Sequence, residues 1–272
     1  MGAMALGLFA SLLIGTIFQT IGTYTELDFL LELSKICSGA AGMAIGVAIA
    51  SSLKADPLVI MSAAAVGSAG YSLGTTIAVA GADPITYTAG PAGAFFAVVV
   101  AAEVGMLVSK KTKVDILVTP TVTILAGYAV ARLLCPSVAY VMYYLGHFIN
   151  TATELHPFVM GIIVSVVVGI ILTLPISSAA ICAMIGITGL AGGAAAAGCC
   201  AQMVGFAVIS FRENRFGGLV AQGLGTSMLQ MGNILRKPQI WIAPTLAAAV
   251  TGPLSTLVFK LECTGVSAGM GT

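Results

Sequence analysis

Charge is what this sequence lacks most. Of 272 residues, 11 are Lys or Arg and 10 are Asp or Glu, where ordinary soluble domains carry about a quarter charged residues. A chain so poor in charge cannot cover itself with polar surface in water. Histidine occurs twice and tryptophan once. The six cysteines (Cys37, Cys135, Cys182, Cys199, Cys200, Cys263) form no CxxC pair and have no histidine beside them, so they read as small apolar helix residues; neither a metal site nor a disulfide is expected. A net charge of +1 leaves no electrostatic footprint for nucleic acid. No Walker loop, dinucleotide fingerprint, HExxH or GxSxG motif is present, which argues against ATP-driven transport by this chain, against an enzyme and against a cofactor. The opening "MGAMALGLFASLLIG" lacks a basic region and a cleavage site, and reads as a retained first span.

What is abundant is apolar sequence. Hydrophobic residues make up 58% of the chain and mean hydropathy is +1.07. Apolar runs recur at roughly the 17–25 residues that cross a hydrocarbon core. They lack the two-residue alternation of a membrane barrel. The expected fold is therefore an all-α, polytopic membrane bundle of about ten segments. The expected spans are 4–22, 37–53, 57–80, 91–109, 114–134, 157–174, 176–190, 193–210, 217–234 and 239–259. The tyrosine-rich stretch that follows the fifth span suits a helix at the membrane interface, or an additional crossing. The domain reading is a first membrane repeat over 1–134, an interfacial linker helix over 135–156, and a second repeat over 157–272. Thirty-three glycines are expected mostly to let helix backbones approach closely.

Four blocks recur in order. "GLFASLLIGTIF" at 7–18 aligns with "GIIVSVVVGIIL" at 161–172, so that Gly7, Ser11 and Gly15 fall on Gly161, Ser165 and Gly169. "DPLVIMSAAAVGSAG" resembles "LPISSAAICAMIGITG", "AAEVGMLVS" resembles "AQMVGFAVIS", and "DILVTPTVTILAG" resembles "IWIAPTLAAAVTG". Halves of about five helices each would make the second copy inverted, as in many secondary transporters, where broken helices meet at a midplane site. Candidate interruptions are Pro57, Pro120, Pro175 and Pro244, each followed closely by hydroxyls: Ser62; Thr121 and Thr123; Ser177 and Ser178; Thr245. These hydroxyls are candidate solute ligands.

Ionisable groups inside apolar runs are candidates too, because burying them is costly. Glu103 lies within "FFAVVVAAEVGML", and Gln202 holds nearly the same place in the other repeat. "NTATELHPF" gathers Glu154 and His156 just before a span; carboxylate and imidazole groups suit a neutral polyol, while a loop capping the next helix is the plainer reading. Gln222, Thr226 and Gln230 share one helical face, either pore lining or interhelical glue. The basic "SKKTK" at 109–113 should be cytoplasmic, with the basic-free loop around Asp83 outside. "FRENR" and "RKP" flank the expected span 217–234 and conflict, since both cannot be cytoplasmic if it crosses.

The stretches "KVDILVTPTVTIL", "TELHPFVMGIIVSVVVGI", "LTLPISSAAIC", "ITGLAGGAAAAGCCAQMVGFAVISFREN" and "GLVAQGLGTSMLQM" resemble the phosphotransferase-system enzyme IIC-like membrane family, which includes the perfringolysin-regulator-like proteins. The resemblance runs over nearly the whole chain. It implies a homodimeric transporter with re-entrant hairpins in a bacterial inner membrane, a small polar, sugar-like solute, and a cytoplasmic phosphotransferase or regulatory partner. Thr153-Glu154-Leu155-His156-Pro157 resembles a loosened Thr-Glu-Pro motif, which would give Glu154 a sugar contact. The family's regulator members imply a second reading, a non-transporting membrane sensor of a small ligand that controls gene expression.

Overall fold

The computed structural model describes residues 2–77, 85–176 and 178–271. Asp83 and Ser177 therefore lie outside the described residues. The chain forms two compact units, Met1–Tyr140 and Val141–Thr272.

The first unit begins with α1 (Gly2–Leu8), a π-turn over Phe9–Leu13, and α2 (Ile14–Thr25). It continues through α3 (Asp28–Gly39) and α4 (Ala41–Ser52), a pair bent by 46°. Next come α5 (Pro57–Ser72), a two-stranded antiparallel hairpin of β1 (Gly74–Ile77) and β2 (Ile85–Thr88), and α6 (Gly90–Val108). Glycine sets the packing. A methyl group at Gly46 would sit 2.1 Å from the Ala63 carbonyl oxygen, and one at Gly67 would sit 2.2 Å from that of Gly42. With no side chain in between, the backbones of α4 and α5 touch directly, and dispersion replaces the hydrophobic drive that lipid cannot supply.

One end of this unit is charged. Lys110 pairs with Asp56, while the Lys110 amide (2.9 Å) and the Thr119 hydroxyl (2.6 Å) both donate to Asp115. Asp115 is the first residue of α7 (Asp115–Thr153), where its carboxylate meets the positive end of the helix dipole. Lys54 and Lys110, just past the ends of α4 and α6, adopt left-handed φ values of 58° and 61° to turn the chain. The hairpin occupies the opposite end, beyond α5 and before α6.

Helix α7 runs unbroken for 39 residues and contributes to both units. That length is about twice what one crossing requires. The linker expected over 135–156 is thus not a separate element: 135–153 continue α7. Nor is Pro120 an interruption. It sits near the start of α7, where a missing N–H frees only the Ile116 carbonyl on an exposed first turn.

The second unit contains α8 (Pro157–Thr173), α9 (Ser178–Met184), α10 (Gly189–Ile209), α11 (Phe211–Val220), α12 (Met231–Arg236) and α13 (Ile242–Pro253). Gly198 abuts Ser165, and Gly169 abuts Gly198 and Gln202, so α8 and α10 run parallel. Gly205 meets Pro244 and Gly252 meets Gly161, so α13 runs antiparallel to both. Parallel neighbours need a return path between them. A turn over 174–176 containing Pro175, the short α9, and an irregular stretch over 185–188 supply it. Pro57, by contrast, opens α5 at its first position, beside the charged end, and Pro244 lies in the first turn of α13. These two start helices and do not divide them.

The stretch 217–234 does not form one rod. It divides into α11, a π-turn, extended Thr226, a 3-10 turn over Ser227–Gln230, and α12. Because α10 ends where α13 begins, "FRENR" and "RKP" lie at the same end of the unit, and the conflict between the two basic clusters disappears. Among the described residues, five helices are long and apolar enough to cross a membrane, six if α3–α4 counts as one span; α5 and α8 are apolar but shorter. This is an all-α, multi-pass membrane fold.

Candidate functional site

The polar groups of the second unit converge along one face of α8. Gly161, Ser165, Gly169 and Thr173 recur every four residues, which aligns them on that face. Ser165 donates to the Ala248 carbonyl of α13 at 2.5 Å. Gly169 makes room for the Gln202 side chain of α10. Thr173 shares a 2.9 Å hydrogen bond with Ser227 at the middle of the returning segment. Ser165, Thr173, Gln202 and Ser227 are all fully buried. The file extends over eight residues of α8, about 12 Å.

Gln202 is its centre. The Thr245 hydroxyl gives its proton to the Trp241 carbonyl at 2.7 Å, so towards Gln202 it can only accept, and the Gln202 amide nitrogen donates to it at 3.2 Å. That fixes the amide orientation: nitrogen towards Thr245, oxygen away. The oxygen, Oε1, is buried without a partner among the described residues. A sealed, unpaired amide oxygen costs roughly 1–3 kcal/mol, and such atoms are uncommon enough to point to a function. A hydroxyl donor from a solute would satisfy it.

Two further polar pairs lie in this unit. Ser210 donates to Gln222 at 3.2 Å, and Asn233 donates to Gln230 at 2.8 Å. Gln222 and Gln230 are buried, but Thr226 between them is extended. The shared helical face expected for 222, 226 and 230 is therefore lost at the break.

Of the other expected ligands, Ser178 is buried but donates to the Gly269 carbonyl at 2.8 Å. Ser62 and Thr121 donate to carbonyls one turn back in their own helices, those of Leu58 and Leu117, at 2.7 Å each. Thr121 is exposed. Glu103 faces outward from α6 along with exposed Phe96, Val100 and Leu107. Glu154 and His156 are exposed in the turn before α8, where His156 Nδ1 accepts from the Phe158 amide at 3.5 Å. Among the described ones, only Gln202 and Thr245 are joined. Thr173 and Ser227 were not among the expected ligands. Their signal was the four-residue Gly/Ser/Gly/Thr spacing of α8, visible in the sequence but shared with ordinary helix packing.

A family model described as "Phosphotransferase system, EIIC" matches residues 1–272. No curated protein and no solved structure matches.

Proposed function

Because the chain belongs to the phosphotransferase-system EIIC family, we propose that this membrane protein is a transporter that binds a small polar, sugar-like solute along the buried file of its second unit. Gln202 supplies the central contact, with Thr245, Ser165, Thr173 and Ser227 around it. The observation that carries this reading is the Gln202 oxygen, fully buried and without a partner among the described residues; Trp241 Nε1 and Ser255 Oγ of the same unit are unpaired too, but only Gln202 is hydrogen-bonded to another expected ligand, Thr245. The site is closed: Gln202 is 0% exposed. Solute must enter by separating Ser227 from Thr173, so the returning segment 211–236 acts as a re-entrant gate. A gate of irregular backbone is tolerated at membrane depth where it lines a polar cavity. Equivalent glycines support the duplicated architecture. Gly105 and Gly205, which fall at matching places in the aligned blocks, each pack on the proline-containing helix that follows, α7 and α13, and α6 and α10 both begin at a left-handed glycine, Gly90 at φ 56° and Gly189 at φ 62°. The positive-inside bias puts the basic ends of the helices in the cytoplasm of a bacterial inner membrane, where a phosphotransferase partner can reach emerging solute. A homodimer fits the family.

The test is uptake of a panel of radiolabelled hexoses and polyols into proteoliposomes. Wild-type protein accumulates at least one of them, and Gln202→Leu abolishes that uptake. Uptake that survives Gln202→Leu rejects the site. Binding without any flux favours the sensor reading instead.

A further inference from the structure

A groove of about 740 Å³ runs along the outside of the second unit, between α10 and α13. Its walls are small apolar residues, among them Ala197, Ala201, Gly205, Ala243 and Ala247, and it extends from Leu261 at one end to Ile209 at the other. It lies outside the solute file, although Pro244 in its floor adjoins Thr245.

From Ala196 to Ile209 the groove follows α10 for about 20 Å. Its lining is almost wholly apolar and made of small side chains, which suits an extended hydrocarbon chain.

The ends differ in charge. Near Leu261, Lys260 is offset by Glu262. Near Ile209 and Ala243, Arg212, Arg215, Arg236 and Lys237 face Glu213 as the one acidic residue of these two stretches. Trp241 stands at this end too, a residue type enriched at the membrane–water boundary. Basic residues at the end of an apolar channel complement an anionic headgroup. We infer that the groove holds an acyl chain of an anionic phospholipid, with its phosphate among Arg212, Arg215, Arg236 and Lys237, in the cytoplasmic leaflet.

Trp241 is the only tryptophan, so its fluorescence reports on the groove's charged end without labelling the protein. The reconstituted full chain is titrated with phosphatidylglycerol, and separately with phosphatidylcholine, each carrying a doxyl quencher near the top of the acyl chain. Wild-type protein is quenched at several-fold lower mole fraction by phosphatidylglycerol. Arg212→Gln/Lys237→Gln brings phosphatidylglycerol close to phosphatidylcholine, since each surface cation contributes about five-fold in affinity for anionic lipid. Ala247→Phe fills the groove from an exposed position and weakens quenching by both lipids while circular dichroism stays unchanged. Equal quenching by the two lipids in wild-type protein, or undiminished phosphatidylglycerol quenching in Ala247→Phe, overturns the inference and leaves ordinary annular lipid. Absence of quenching by either lipid overturns it in favour of a groove covered by a second copy.

Discussion

Single residues carry unequal weight in this chain, and burial decides which matter. Gln202 is sealed between three helices with half of its amide unsatisfied, whereas Glu103 and Glu154, more conspicuous in the sequence, are exposed. Gly198 has its own importance. A methyl group there would lie 2.0 Å from the Ser165 carbonyl oxygen, so α8 and α10 would have to separate. Gly198→Ala is expected to destabilise the second unit by about 1–3 kcal/mol, read as a lowered unfolding temperature in detergent. At the charged end of the first unit, the hydrogen bond from Lys110 holds the Asp56 carboxyl below its ordinary value of 3.8. A depressed carboxylate pKa contributes stability that is present above the unfolded value and lost as pH falls through the folded one. Stability should therefore fall on acidification below about pH 4, and Asp56→Asn should remove that part of the fall. An identical acid profile in the variant would contradict the assignment.

Elements show where the sequence is legible and where it is not. The long apolar helices α6 and α10 and the charged turn between α6 and α7 follow directly from hydropathy and from the lysine cluster. Proline was a weaker guide: Pro175 marks a true break, Pro57 and Pro244 start helices, and Pro120 sits within one. The ring has the same local effect in each case, and only its distance from the nearest helix start decides the outcome. The returning segment was hidden for a different reason. Its composition, apolar with scattered Gln and Gly, satisfies a hydropathy window as well as a crossing does; at the break the extended Thr226 accepts from the Met228 amide and Ser227 meets Thr173 of α8, the second a tertiary contact no local pattern encodes. If that contact is the gate, a Thr173→Cys/Ser227→Cys pair in a cysteine-depleted background forms an oxidative cross-link. Uptake stops on oxidation and returns on reduction. A cross-linked protein that transports normally would exclude the segment as a gate.

At the scale of the molecule, composition was enough for an all-α, multi-pass membrane protein, and the family match over the full chain agrees. Composition did not separate crossings from returns, because lipid selects for apolarity and not for direction. The fold implies that residues 211–215 and 236–238 share one side of the membrane. Cysteines at 212 and 237, tested one at a time with a membrane-impermeant maleimide, should label from the same side; labelling from opposite sides would mean that 217–234 crosses. The most direct test of the account is equilibrium binding, to purified protein, of a sugar or polyol that the uptake assay selects. Gln202→Leu is predicted to weaken it at least ten-fold, the loss of one good buried hydrogen bond, with Thr121→Val unchanged. A folded Gln202→Leu protein that binds as tightly as wild type would contradict the account.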